Sequence, residues 1–287
     1  MSDPLPDLGI LRLRWPEYAR ADATREVAVA GVRIGGPERV VIAGPCAVES
    51  LEHTLAVARV VREAGGHLLR GGAFKPRTNP HSFQGLGREG LEILAEARRE
   101  TGLGIVTEVL DPRLVDLVAG YADMLQIGSR SMQNFPLLTE VGRSRKPVLL
   151  KRGWSATIEE WLCAAEYIAR EGNLDIVLCE RGVRTVSHWS YARSVLDLNI
   201  LEPLRRATPL PLVVDPSHAA GEWRLVAALA GAALAAGAHG LLVEVVASDR
   251  DRARLRSDAD QGVPPDVLAG IVAAARAASG ASTGPRP

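Results

Sequence analysis

Eight short apolar runs separated by helix-like segments set the tightest limit on what this 287-residue chain can fold into. The runs are Val40–Ala43, His67–Arg70, Gly104–Thr107, Met124–Ile127, Pro147–Leu150, Asp175–Leu178, Pro211–Val214 and Gly240–Val243. Near-continuous apolar strands joined through helices belong to a parallel sheet buried on both faces. The helix-like segments lie near Glu49–Ala64, Gly87–Thr101, Pro112–Ala119, Phe135–Gly142, Thr157–Gly172, Tyr191–Arg206 and Glu222–Gly237, and a last one follows Pro264. Asp111 before Pro112 reads as an N-cap with proline at the first helical position. Ser155 reads as a weaker cap, helped by Glu159 and Glu160 at the positive end of the helix dipole. Eight such units in about 250 residues are the size of a (β/α)8 TIM barrel, an α/β fold. A doubly wound sheet is the runner-up, but no Gly-x-Gly-x-x-Gly follows the first strand. Residues 1–38 read as an arm and hairpin, with Val27, Val29, Val32 and Ile34 alternating about Ala30-Gly31. Residues 39–280 form the barrel, and 281–287 read as a disordered tail.

Charge narrows the function. Thirty-four basic and 34 acidic residues give zero formal charge, so no bulk attraction to nucleic acid or membrane is expected. A locally basic loop must then be read as a site. Three cysteines, Cys46, Cys163 and Cys179, are too few and too odd for a disulfide framework and suit a reducing compartment. No apolar signal-peptide core opens the chain, and the alanine-rich Leu225–Ala238 stretch is broken by Gly231 and Gly237. A soluble, cytoplasmic protein is expected.

The loops after barrel strands build the site in this fold. The second run feeds Arg70-Gly-Gly-Ala-Phe-Lys-Pro-Arg-Thr-Asn-Pro80, which packs three cations, Arg70, Lys75 and Arg77, beside two glycines and a proline. Arginine forks and a lysine point charge suit phosphate and carboxylate oxygens; a solvated basic loop is the plain alternative. Other strand ends add Glu108, Gly128-Ser129-Arg130, Lys151-Arg152, Glu180-Arg181, Asp215-Pro-Ser-His218 and Glu244, with Asp258 in the last loop. Cys46, His218, Glu244 and Asp258 together mix thiolate, imidazole and carboxylate, a set suited to a divalent transition metal. Singly, Cys46 could be core packing and His218 a loop hydrogen-bonder. Glu244 ends a very apolar run and needs a partner. Arg70, Lys75, Arg77, Arg130, Lys151 and Arg181 are six cations without equivalent acidic partners in the pattern, although Glu108 and Glu180 could neutralise part of Lys151. The better account is a substrate with several negative charges beside a metal-polarised electrophile.

Ala43-Gly-Pro-Cys-Ala-Val-Glu-Ser50, Arg70–Thr78, Ser82-Phe-Gln-Gly85, Gln126-Ile-Gly128, Met132-Gln-Asn-Phe-Pro136, Leu149-Leu-Lys-Arg-Gly153, Ser155-Ala-Thr-Ile-Glu-Glu-Trp161, Cys179-Glu-Arg-Gly182 and Asp215-Pro-Ser-His218 occur in that order. This series resembles the type I 3-deoxy-D-arabino-heptulosonate 7-phosphate (DAHP) synthases, in the subgroup related to 3-deoxy-D-manno-octulosonate 8-phosphate synthase. The resemblance runs from about Val27 to the last helix. It implies a transferase that condenses phosphoenolpyruvate with erythrose 4-phosphate and releases phosphate, opening the shikimate pathway. It implies that Cys46, His218, Glu244 and Asp258 hold a divalent metal of the Mn, Fe, Co or Zn class. It assigns Arg70, Lys75, Ser129, Arg130, Lys151 and Arg181 to phosphoenolpyruvate, and Pro76, Arg77, Thr78 and Asn79 to the aldose phosphate. Lys75 would move a proton, Glu108 would stand near the reacting water, and His218 would serve catalysis as a ligand. The hairpin would close the bottom of the barrel, and the protein would be a homo-oligomer, a tetramer or dimer.

Departures from the family pattern cluster on the acceptor side. Asn79 stands where a hydroxyl residue is usual, His81 where an aromatic is common, Ser131 in Gly128-Ser-Arg-Ser-Met132, and Ala192-Arg-Ser-Val195 in place of Thr-Arg-Asn-Thr. Val246-Ala247 follows Glu244-Val245 where His-Pro is usual, and Ala259-Asp260 leaves Asp260 as a rival to Asp258. Two alternatives follow: the same chemistry on another phosphorylated aldose in a specialised pathway, or an inactive barrel kept as a regulatory partner. The octulosonate branch carries a Lys-Ala-Asn-Arg-type motif where this chain has Lys75-Pro-Arg-Thr78. The arm is too short for a separate regulatory domain, so no inhibition by phenylalanine or tyrosine acting on this chain alone is expected.

Overall fold

A computed structural model describes residues 24–185 and 193–279; the residues read as arm start and tail lie outside them. Two short strands, β1 (Val27–Val29) and β2 (Val32–Ile34), pair antiparallel with Val27 opposite Ile34. Eight parallel strands follow: β3 (Val40–Gly44), β4 (Leu68–Arg70), β5 (Gly104–Glu108), β6 (Met124–Ile127), β7 (Val148–Lys151), β8 (Ile176–Glu180), β9 (Leu212–Val214) and β10 (Gly240–Glu244). They close into a barrel, β10 pairing β3 from Gly240–Val40 to Glu244–Gly44. The (β/α)8 reading therefore holds.

Side chains alternate across each strand, and that parity splits the apolar residues into two cores. Val41, Ala43, Leu69, Ile105 and Leu150 face outward and meet the helices. Val40, Ile42, Leu68, Val106, Met124, Leu149, Val177, Val213 and Leu242 face the barrel axis, and Val27, Val29 and Ile34 of the hairpin pack against them. The hairpin thus plugs the end of the barrel where the strands begin. Gly104 gives it room, because a methyl there would sit 2.4 Å from Ala30 Cβ. Gly104→Ala is expected to cost about 1–3 kcal/mol through overpacking, which a thermal melt measures.

The helices are α1 (Leu51–Ala64), α2 (Arg88–Thr101), α3 (Val115–Tyr121), α4 (Phe135–Arg143), α5 (Ile158–Ala169), α6 (Leu201–Ala207), α7 (Pro216–Ala220), α8 (Trp223–Ala235), α9 (Asp249–Arg252) and α10 (Pro265–Ala278). Asp111 caps as expected, accepting from Arg113 N at 2.9 Å ahead of a 3-10 turn at Pro112–Leu114. Ser155 does not cap. Thr157 does, through a capping box in which its hydroxyl accepts from Glu160 N at 3.1 Å and Glu160 Oε2 accepts from Thr157 N at 2.8 Å.

The helix expected over Tyr191–Arg206 is also corrected. Residues 191 and 192 lie outside the described part, and 193–197 are not helical. Their backbone finds other partners: Arg193 N and Ser194 N donate to Ala220 O and Ala219 O, and Val195 pairs antiparallel with Val183. The helix starts only at Leu201. Five strands also run one or two residues past the apolar runs, ending on Gly44, Glu108, Lys151, Glu180 and Glu244.

Candidate active site

Continuing the inward parity past each strand's last apolar residue gives the chemistry. After Ile42, Leu68, Val106, Met124, Leu149, Cys179, Val213 and Leu242 come Gly44, Arg70, Glu108, Gln126, Lys151, Arg181, Asp215 and Glu244. A ring of mostly charged groups is thereby stacked on the apolar barrel interior, at the rim where the strands end. Above it lies a cavity of about 990 Å³ lined by Arg70, Lys75–Asn79, Glu108, Ser129, Arg130, Lys151, Arg181, His218 and Asp258, among others. Every residue expected to bind either substrate lines this one cavity.

Buried charges there are paired more fully than the sequence pattern suggested. Arg70 Nη1 donates to Glu244 Oε1 at 3.0 Å and to Pro45 O. Lys151 Nζ donates to Asp215 Oδ2 at 2.6 Å, so Asp215, and neither Glu108 nor Glu180, neutralises it. Glu180 has outward parity and instead accepts from Arg152, from Gly182 N at 2.7 Å and from Asp197 N. Arg77 lies 3.6 Å from Asp258. Lys75 Nζ lies 2.9 Å from Cys46 O and 3.1 Å from Cys46 Sγ. Burial pulls the Lys75 ammonium down, but Cys46 and Glu244 outweigh it and hold its pKa above the ordinary value. Burial in turn pushes the Cys46 thiol up to about 11, so the pair is thiol and ammonium at neutral pH.

Glu108 is buried, with Oε2 accepting from Gln126 Nε2 at 3.2 Å. Its Oε1 has no hydrogen-bond partner among the described residues. Gly128 leaves space for that oxygen, because a Cβ there would stand 2.0 Å from it. This oxygen is buried against Gly128 without a donor among the described residues, while Glu108 itself lines the cavity, so its carboxylate is an available acceptor for a proton there.

Among the described residues no three His, Cys, Asp or Glu side chains stand as a tight ligand cluster. The expected metal donors are nevertheless neighbours: Cys46 Sγ is 3.9 Å from Asp258 Oδ2, and His218 Nε2 is 3.3 Å from Glu244 Oε1. Arg70, Arg77, Arg193 and Gln261 share the carboxylates, with Gln261 Nε2 at 2.5 Å from Glu244 Oε2. His218 Nδ1 sits 2.7 Å from Asp215 Oδ2, an arrangement that leaves Nε2 facing Glu244. Burial lowers the His218 pKa against the pull of Asp215, which favours the neutral imidazole that ligates metals. In type, a thiol, an imidazole and two carboxylates suit a divalent cation; of the two loop carboxylates, Asp258 lines the cavity and Asp260 is not among its lining residues.

Burial raises the Asp258 pKa, but the Arg193 hydrogen bond and charge outweigh it and bring it down to about 2. The unfolded carboxylate titrates near 3.9, so its stabilising effect is present above about pH 4 and is lost as pH falls toward 2. Metal-free Asp258→Asn protein is expected to lose less stability between pH 5 and pH 2.5 than wild type, read as the slope of Tm against pH.

Trp154, Arg184 and Thr185 also line the cavity and carry no expectation from the sequence; Arg193 and Ser194, from the segment that departs from the family pattern on the acceptor side, line it too. Asp215 and Gln126 carry a signal that was available: both sit at inward parity, Asp215 one residue beyond an apolar run and Gln126 as the polar residue within one.

A family model, the DAHP synthetase I family, matches residues 19–271. The chain belongs to the DAHP synthetase I family. It is 51% identical over 214 residues to a phospho-2-dehydro-3-deoxyheptonate aldolase of Thermotoga maritima, an alignment spanning 75% of this chain and 63% of that protein. It is 37% identical over 244 residues to a 2-dehydro-3-deoxyphosphooctonate aldolase of Syntrophotalea carbinolica, across 78% and 86% of the two. The crystal structure of the DAHP synthase of Thermotoga maritima matches with a TM-score of 0.82 at 44% identity, covering 89% of this chain and 73% of that one. A truncated form of the Thermotoga maritima synthase matches at 0.79 and 41%, across 88% and 91%. Within this family the barrel rim is the place to look for chemistry, and no helix among the described residues is long and apolar enough to cross a membrane.

Proposed function

We propose that this chain condenses phosphoenolpyruvate with erythrose 4-phosphate to give 3-deoxy-D-arabino-heptulosonate 7-phosphate and phosphate. The observation that carries the reading is the inward ring of Arg70, Lys151 and Arg181, joined by Lys75 and Arg130, around one cavity beside a thiol–imidazole–carboxylate set. Arg70, Lys151 and Arg181 are nearly fully buried, so a multiply charged anion gains from them in a setting where water screens little. In the reaction, C3 of the enolpyruvate bonds to the aldehyde carbon and the aldehyde oxygen takes a proton. Lys75, protonated and buried, is placed to give that proton. Water adds at C2, its proton passing to the Glu108 carboxylate in the cavity wall, and the C2–O bond to phosphate then breaks. When bound by Cys46, His218, Glu244 and Asp258, a divalent metal supplies Lewis-acid polarisation of the acceptor carbonyl. Arg77, Thr78 and Asn79 take the aldose phosphate at the outer side of the cavity.

A second reading keeps the chemistry and changes the aldose. It is favoured by Asn79, whose side-chain oxygen is occupied by His81 N at 2.9 Å, so that only its amide hydrogens are free for a phosphate. Phosphate release from phosphoenolpyruvate, measured with added metal against a panel of aldose phosphates, separates the two. Turnover with erythrose 4-phosphate is expected; turnover only with another aldose establishes the second reading, and none with any aldose refutes both. Cys46→Ser is expected to abolish metal-dependent turnover.

A further inference from the structure

One ring in the cavity wall gathers three guanidinium groups. Trp154, half-buried in the turn after β7, has Arg184 Cζ 4.2 Å, Arg130 Cζ 4.6 Å and Arg181 Cζ 5.8 Å from its ring centroid. These arginines come from the ends of two different strands, and Arg184 N is tied to Trp154 O at 2.8 Å. None of the three forms an ion pair with a carboxylate among the described residues. Among the described residues Arg130 donates only to Thr78 Oγ1 at 3.4 Å and Arg181 only to His218 O at 3.5 Å, while buried Arg181 Nη1 has no partner there. All three arginines and the ring line the same cavity. Of the other buried cations of the rim, Arg70, Lys151 and Arg152 each hold a carboxylate, while Lys75 contacts Cys46.

Three like charges gathered about one aromatic ring repel one another, and the ring's negative faces offset only part of that. A tetrahedral dianion lying between them would remove the repulsion and complete their hydrogen bonding. We propose that Arg184 is a third guanidinium for the phosphate of phosphoenolpyruvate, and that Trp154 is the positioning residue that holds Arg130, Arg181 and Arg184 around it. This rests on the substrate reading above for the identity of the ligand, but not for the existence of a phosphate cage. The same cage takes the orthophosphate released by the reaction.

The test uses full-length protein with phosphoenolpyruvate and, separately, inorganic phosphate as titrants in calorimetry, followed by steady-state kinetics. Arg184→Gln is expected to weaken both ligands about tenfold and to raise KM for phosphoenolpyruvate in step, with KM for the aldose phosphate changed less than twofold. Trp154→Leu is expected to do the same, and Trp154→Phe, which keeps an aromatic face, to recover most of the loss. Ligand-dependent change in tryptophan emission is expected to vanish in Trp154→Phe. Unchanged phosphate and phosphoenolpyruvate binding in Arg184→Gln, or a defect confined to the aldose, overturns the proposal. Full binding by Trp154→Leu overturns the positioning role. Phosphate binding that depends on Arg184 in a protein with no turnover of erythrose 4-phosphate would keep the cage and discard the substrate reading, so the two failures are distinct.

Discussion

Lys75→Met is expected to cut kcat by roughly a thousandfold or more, the range for loss of a positioned general acid, while Tm moves by only a few degrees. The side chain is 7% exposed and, among the described residues, forms no carboxylate ion pair and donates only to the carbonyl and sulfur of Cys46. Methionine fills similar volume and removes a buried charge, so the packing persists. What disappears is a buried ammonium whose pKa lies above the ordinary value, and with it the proton that the proposed reaction takes from this nitrogen. Arginine is not expected to rescue, because a planar guanidinium cannot reproduce the point contact with Cys46 or surrender a proton at neutral pH. Stopped-flow or coupled phosphate assays read the loss directly. Retention of more than a tenth of wild-type kcat would remove Lys75 from the chemistry.

Asp215→Asn should act on the fold as well as the reaction. Asp215 is fully buried and its Oδ2 serves both Lys151 Nζ at 2.6 Å and His218 Nδ1 at 2.7 Å, while Oδ1 accepts from His218 N at 2.9 Å. Burial works against its ionisation, yet His218 and Lys151 more than compensate and hold its pKa well below the usual carboxylate range. Asparagine keeps the shape and deletes the charge, leaving Lys151 buried without a counter-ion. Removing one partner of such a pair costs roughly 3–5 kcal/mol, which in a domain of this size is a fall in Tm of roughly 6–20 °C. The double variant Lys151→Met/Asp215→Asn is expected to recover much of that stability without recovering activity. A single variant that melts like wild type would show that the pair does not matter to stability, and a double variant no better than the single would place the loss elsewhere.

The barrel was legible because its signal is local. Each strand is an apolar run of three to five residues, each helix carries its own period, and Asp111-Pro112 announces its own cap. The site was legible in part. Arg70, Lys75, Glu108, Lys151, Arg181, His218 and Glu244 stand at strand ends, and all of them face the cavity or its floor. The reading failed where the backbone takes its partners from far away. Residues 193–197 fall where a helix was expected but bond to Val183 and to the last residues of α7, Ala219 and Ala220, an arrangement that sets Arg193 against Asp258. Ser155 looked like a cap because its spacing was judged without knowing which hydroxyl would meet a free N–H; Thr157 does.

Sequence alone determined the fold class, the rim on which charge collects and the kind of chemistry that such charge can serve, because alternation along a strand and strand-end position are properties of neighbouring residues. Only the tertiary structure decided which charges cancel and which stay open for a ligand. Arg70 is neutralised by a carboxylate 174 residues away and Lys151 by one 64 residues away, whereas Arg130, Arg181 and Arg184 gather about one tryptophan ring without such a partner among the described residues. Pairing of this kind depends on ångström distances between strands that barrel closure brings together, and no local pattern encodes them.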